Sequence, residues 1–267
     1  MIHFRSLEFH AAHACNLYCA QCSHYSNLHT GGIVSVAEAR ENFDAWTGRL
    51  RPKKFVILGG EPTLNPDLCE ILALGRQAFP GARKLLVSNG FFFDRHPDLP
   101  KVLCDNYYKL EVSQHGNSPV YREKFQTALD TIAKWRRDYP KLNIGVRQSH
   151  QGWRRQYSMI DGKALPILSK PRDGWKACIQ KRCTQLHRKC LWKCPALAYF
   201  SHLERKLNLQ DIPAWQLFRD YQACPSTATD TEVQSFFETE AIPQCGLCPS
   251  NRIPFNHPDP TQRNEIR

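Results

Sequence analysis

Three cysteines, Cys15, Cys19 and Cys22, fall within the stretch HACNLYCAQCSHYS at a CxxxCxxC spacing. Thiols this close can share one metal centre, and a structural zinc site would close its tetrahedron with a fourth ligand. The run stops at three, which leaves a coordination position open for something that reacts. A second group, Cys178, Cys183, Cys190 and Cys194, is followed downstream by Cys245 and Cys248 in the segment CGLC. These thiols suffice to close a four-ligand centre, and a tetrahedral set of four thiolates suits zinc and iron-sulfur alike. The chain carries 12 cysteines, clustered rather than spread, which reads as metal ligation in a reducing compartment rather than as a disulfide framework. Cys69 and Cys104 lie in apolar-patterned segments and read as small core residues. Cys224 reads either as a further thiol near the second group or as a loop residue, with the loop favoured.

The elements that must position these groups alternate between strand and helix from residue 3 to about 148, the pattern of a parallel α/β sheet or barrel. The strand candidates are HFRSLEF, KFVIL at 54–58, KLLVSNG at 84–90, YKLEVSQHG at 108–116 and LNIGVRQS at 142–149. Between them, SVAEARENFDAWTGRL opens with a capping-box signature, Ser35 followed by Glu38, and two later segments carry apolar residues at helical spacing. The loops at the C-terminal ends of parallel strands converge on one mouth, where such folds place their active sites. The first cysteines follow the first strand there, and GGEP (Gly59, Gly60, Glu61, Pro62) follows the second. Beyond residue 150 the pattern breaks into a hairpin-like cysteine-rich stretch at 183–194, two or three helices and CGLC. The expected division is therefore a barrel over 1–150, a smaller cysteine-rich unit over 151–248 and a proline-rich tail over 249–267, poorly ordered or draped over the surface.

No apolar run approaches the roughly 20 residues that span a bilayer, and the N-terminus has no signal-peptide pattern, so a cytoplasmic protein without a membrane partner is expected. The formal net charge is +11, with much of the excess between 170 and 206. An anionic substrate or partner would be favoured there, and a solvated basic face explains the same charges equally well.

CxxxCxxC after the first strand followed by GGEP after the second resembles the radical S-adenosylmethionine (SAM) superfamily. The resemblance implies a partial (β/α)6 TIM-like barrel and a 4Fe-4S cluster on Cys15, Cys19 and Cys22. SAM would fill the open position and, after one-electron reduction, yield a 5′-deoxyadenosyl radical that abstracts hydrogen from a substrate. It also implies that Gly59, Gly60, Glu61 and Pro62 receive the methionine end. By position, Ser88, Asn89, Ser113, His115 and Arg147 match the contacts to ribose, adenine and carboxylate, with Arg147 also the catalytic candidate. The chain departs from the family at Gln21, where an aromatic residue commonly precedes the third cysteine and packs near adenine; Tyr18, His24 and Tyr25 are the candidates to compensate.

The second cysteine group resembles the auxiliary-cluster extension called a twitch domain, related to SPASM. That implies a second 4Fe-4S cluster on Cys194, Cys245 and Cys248 with either Cys178 or Cys183, Cys190 being spare. A full ligand set implies electron transfer and hence a dehydrogenase or epimerase acting on a sugar, cyclitol or nucleotide-linked carbohydrate, with a flavodoxin- or ferredoxin-type reductant. The alternatives are a peptide-modifying maturase and, from another class, a non-enzymatic iron-sulfur or zinc protein binding nucleic acid through its charge.

Overall fold

The computed structural model describes residues 1–255 and 257–263. Residues 256 and 264–267 of the expected tail lie outside the described residues. In chain order the elements are β1 (Ile2–Ala12), α1 (Val36–Asp44), β2 (Leu50–Gly59), α2 (Leu68–Ala78), β3 (Arg83–Ser88), α3 (Leu99–Asp105), β4 (Tyr108–Gln114), α4 (Pro119–Asp138) and β5 (Ile144–Gln148). There follow β6 (Tyr157–Ile160), β7 (Lys163–Pro166), α5 (Pro171–Ala177), β8 (Thr184–His187), β9 (Cys190–Trp192), α6 (Pro195–Ala198), α7 (Phe200–Leu207), α8 (Gln216–Arg219), β10 (Cys224–Pro225) and α9 (Asp230–Glu238).

One eight-stranded sheet runs β10-β9-β8-β1-β2-β3-β4-β5, and β6 and β7 form a separate antiparallel pair. Strands β1 to β5 pair in parallel, as the alternating pattern predicts. The sixth parallel strand is β8, which joins the free edge of β1 with Leu7 opposite Thr184 and Phe9 opposite Leu186. It belongs to the cysteine-rich hairpin, so the second unit continues the barrel sheet. The hairpin turns on Arg188 and Lys189, both at positive φ (53° and 60°), the geometry of a two-residue turn that matches strand twist.

The core behind the sheet follows from the apolar runs that parallel strands need when both faces are covered. Phe43 of α1, Phe55 of β2 and Phe79 after α2 pack ring against ring, with centroids 4.7–6.1 Å apart. A second core gathers Tyr157, Ala164, Tyr199, Phe200, Trp215 and Phe218 of the C-terminal half, together with Tyr25 and Leu28 from the loop after β1. The cysteine loop is therefore anchored in both halves. Ser35 caps α1, its Oγ accepting from the Glu38 N–H at 3.1 Å. A reciprocal capping box closes α9 between Thr229 and Glu232.

The described part of the tail is tied to the segments that follow β1, β4 and β5. The Arg155 N–H donates to Ile253 O at 3.3 Å, the Tyr18 N–H donates to Pro260 O at 2.8 Å, and the Ser118 hydroxyl bonds the Asp259 carboxylate. Among the described residues no helix is long and apolar enough to cross a membrane.

Candidate active site

At the C-terminal ends of β1 to β5 a cavity of ≈ 540 Å³ opens, within the range of sites for drug-sized ligands. Cys15, Cys19 and Cys22 line it together with Gly59, Gly60, Ser88, Asn89, Ser113, His115 and Arg147. Residues from five separate strand ends thus meet in one place. The three thiols are buried or half-buried, and the Leu17 N–H points at Cys15 Sγ at 3.4 Å. Burial pushes all three thiols above their ordinary range. A metal centre would hold them as thiolates, and its loading would release protons.

Gly59 and Gly60 are required by the protein itself. The Gly60 N–H donates to Ala12 O and the Glu61 N–H to Ala14 O, both at 2.8 Å. A Cβ on either glycine would overlap the carbonyl oxygens of Ala12 or Ala14. This close approach locks the turn after β2 onto the cysteine loop. Glu61 and Pro62, expected to contact the cofactor, lie behind the cavity wall instead. The Glu61 side chain is fully buried; Oε1 accepts from the Thr63 N–H (3.0 Å) and the Ser88 hydroxyl (2.7 Å), and Oε2 accepts from the Asn89 N–H (2.7 Å). It braces the end of β2 against the end of β3, although burial raises its pKa. Asn89 in turn donates to Asn16 Oδ1 at 2.7 Å, tying β3 to the cysteine loop.

Arg147 spreads its fork over three partners: Glu111 Oε1 at 3.0 Å, Ser113 Oγ at 3.2 Å and Ser149 Oγ at 3.1 Å. Its side chain remains 57% exposed, so capacity is left for a ligand. His115 donates its backbone N–H to Tyr121 Oη at 2.8 Å, and burial takes its imidazole down to about 3, so the ring is neutral.

Gln21 lines the cavity, but its amide oxygen is taken up by the protein's own backbone. It sits buried at φ 59° and its Oε1 accepts the N–H groups of Gln156 (2.6 Å) and Tyr157 (3.2 Å). The residue that breaks the family pattern pins the cysteine loop to β6. Tyr18 lies against His29, with centroids 4.2 Å apart. Tyr25 is buried in the second core. His24 lines the cavity but packs on His10 at 4.9 Å.

The inner sheet wall carries groups that the sequence reading passed over: Glu8 on β1, Lys54 on β2 and Glu111 on β4, all lining the cavity. Alternation along a strand puts Glu8 on the cavity side, between Leu7 and Phe9 in the opposite core. Gln185 of β8 donates to Glu8 Oε2 at 2.7 Å, and Glu8 is raised by burial against this bond and the adjoining Cys183 thiol. The signal was a lone acidic residue inside an apolar strand.

Cys183, one of two candidates to complete the second thiol set, lines the cavity and bonds Glu8. Cys178, Cys194, Cys245 and Cys248 lie near enough to act on one another electrostatically, and burial raises each of them. Cys178 acts on Cys183 in the same way, so Cys183 stands between the second thiol group and Glu8. Gly174 of α5 makes this packing possible, since a Cβ there would overlap the Cys245 carbonyl oxygen. Cys190 and Cys224 face each other's strands on β9 and β10, where Pro225 pairs with Cys190; the loop expected at Cys224 is a short edge strand. Cys69 and Cys104 pack against the main core.

Beside the site, His10, His13, His24, His187 and His202 surround Tyr199, with His10 and His13 nitrogens 2.9 Å apart. Among the described residues no three His, Cys, Asp or Glu side chains close on a single ion.

Residues 11–144 match the Radical SAM superfamily. The chain belongs to the radical SAM superfamily. Membership carries a 4Fe-4S cluster, SAM and enzymatic function with it, and the three cavity-facing thiols suit a cluster with one open iron. The barrel is the α/β architecture expected, with a cysteine-rich C-terminal part. Among solved structures, BtrN in complex with AdoMet and 2-DOIA is similar at 15% identity over 92% of this chain and 91% of that one, with a TM-score of 0.49. Native anSMEcpe with bound AdoMet shares 21% identity over 53% of this chain, TM-score 0.42, and the chain spans 42% of its length. Streptococcus suis SuiB bound to S-adenosylmethionine shares 11% over 82% of this chain and 68% of that one, TM-score 0.33. Likenesses at this level leave the substrate class open. No curated protein matches.

Proposed function

We propose that this radical SAM enzyme is an oxidoreductase acting on a small polar molecule, a sugar, cyclitol or nucleotide-linked carbohydrate. In this reading a barrel over 1–150 binds cluster and SAM, and a twitch-like unit over 151–248 holds a second, closed 4Fe-4S cluster on Cys178, Cys194, Cys245 and Cys248. The observation that carries it is a single cavity joining three thiols to an inner wall of Glu8, Lys54, Glu111 and Arg147. Alternating carboxylates and cations suit hydroxyl-rich ligands, because each can hold a hydroxyl as acceptor or donor.

Bound together, the cluster and SAM supply one-electron cleavage of a sulfonium and, from it, hydrogen-atom abstraction. The chain's own residues do the rest. Gly59 and Gly60 hold the turn against the cysteine loop, Ser88 and Asn89 present β3, and Ser113 with Arg147 orient polar groups at the far end. The half-enclosed wall limits water beside the reacting atoms. Four enclosed thiols leave no iron for substrate, which supports an electron-transfer role; a flavodoxin- or ferredoxin-type protein is the reductant this chemistry calls for.

The test is anaerobic reconstitution with reductant and SAM. Wild type forms 5′-deoxyadenosine and Cys19→Ala does not; equal yields from both would remove the reading.

A further inference from the structure

Part of the basic excess lies on α5 and the turn that follows it. Residues 170–182 hold five cations, Lys170, Arg172, Lys176, Lys181 and Arg182, all exposed, against one carboxylate, Asp173. Arg172 pairs with the exposed Glu240 at 3.0 Å. Among the described residues the other four cations enter no ion pair. Uncompensated like charge raises the potential of a face and steers an acidic partner to it.

These cations gather around an aromatic ring. Arg172 and Lys181 lie over Trp175, 5.4 and 4.9 Å from its centroid, and the Lys181 ammonium donates to Lys176 O at 2.8 Å. Trp175 is half-buried, and Ile179, 59% exposed, carries apolar surface on to the cavity edge. A tryptophan within a rim of charge has the anatomy of a small polar interface, in which tryptophan and arginine are the residue types that carry most of the energy.

The same face has a set place relative to the second thiol group. Gly174, on the inner side of α5, is buried against the carbonyl oxygens of Cys245 and Cys248. Cys178 caps the end of α5, and Lys181 is close enough for its charge to act on that thiol. The outer surface of α5 therefore stands about one helix diameter, 10–12 Å, from the segment it packs on.

We propose that the outer face of α5, with the turn to Arg182, is the docking surface for a one-electron carrier protein with an acidic face. Such encounters bury little area, about 1,200 Å² or less, and depend on charge for their rate, which suits a patch of one short helix and a turn. The acidic character of the partner follows from the cations; its being an electron carrier rests on the reading that Cys178, Cys194, Cys245 and Cys248 hold a second centre.

Calorimetric titration of the anaerobically reconstituted protein with oxidised flavodoxin, an acidic one-electron flavoprotein, tests it, with iron counted on each variant. Wild type binds at low salt and weakens as salt rises. Lys176→Glu/Lys181→Glu/Arg182→Glu loses on the order of tenfold or more in affinity and flattens the salt dependence. Trp175→Ala also loses affinity but keeps the salt dependence. Lys134→Glu/Arg137→Glu/Lys141→Glu, the same change in net charge on exposed residues in and after α4, stays at wild-type affinity, and iron stays at wild-type levels throughout. Wild type that does not bind flavodoxin, or equal loss in the two triple variants, overturns the proposal. A DNA duplex that binds more tightly than flavodoxin and loses its affinity in the α5 triple variant overturns it too. Wild type that holds only about four irons yet binds flavodoxin at this face removes the second-centre reading and leaves the docking surface standing.

Discussion

Cys15, Cys19 and Cys22 come from one short loop and face the cavity, whereas Cys178, Cys194, Cys245 and Cys248 come from three separate segments and are not among its lining residues. The first set has donors close by in sequence, such as the Leu17 N–H at Cys15. The second is assembled by tertiary packing, with Gly174 admitting the backbone at Cys245 and Ser169 Oγ donating to Cys248 O at 2.7 Å. The difference is one of origin: the first set is local to one strand end and lines the cavity, while the second is drawn from distant segments and lies away from it.

The sharpest way to break the comparison is to remove one thiol from each set. Cys19→Ala brings 5′-deoxyadenosine formation down to background, measured by chromatography of the quenched reaction. Cys178→Ala lowers iron from about eight to about four per chain and leaves SAM cleavage measurable, while Cys183→Ala keeps about eight. Equal iron loss in Cys178→Ala and Cys183→Ala would mean that the hairpin is placed differently from the structure described.

The join between the regions gives an intermediate effect. Gln21→Ala leaves the N–H groups of Gln156 and Tyr157 without their acceptor, at about 1–3 kcal/mol for a buried donor. Thermal unfolding of the apo chain reads this as a lowered midpoint, with Gln21→Glu recovering part of it.

How far these features could be read in advance follows from how local each one is. The five parallel strands, the cysteine loop and the GGEP turn were legible because apolar runs, spacing and glycines sit within a few residues of one another. The pairing of β8 with β1 was not, since Thr184–His187 is four residues with no pattern that names an edge 177 positions away in the Glu8–Gln185 contact. The turn at Arg188 and Lys189 has no Asn-Gly signal, because tertiary packing holds two side-chain-bearing residues at positive φ. The choice between Cys178 and Cys183 hangs on which way the chain leaves α5. GGEP was read correctly in place and differently in detail: its glycines fit a backbone, and its glutamate braces two strands.

The smallest effects compare the helix caps of the two regions. Ser35→Ala in the barrel and Thr229→Ala in the C-terminal half each lower stability by about 1 kcal/mol, read as the denaturation midpoint. Bonds from the Thr229 N–H and hydroxyl hold the Glu232 carboxyl below its usual range. Its folded pKa is depressed, so its stabilisation is present above the unfolded carboxylate value and is lost as pH falls through the folded value. The midpoint difference between wild type and Glu232→Gln therefore shrinks below about pH 4.

The most direct test of two centres in one chain is iron counting and SAM turnover on a variant with Cys15, Cys19 and Cys22 all replaced by alanine. The account predicts about four irons per chain and no 5′-deoxyadenosine. A variant that holds no iron, or one that still cleaves SAM, would contradict it.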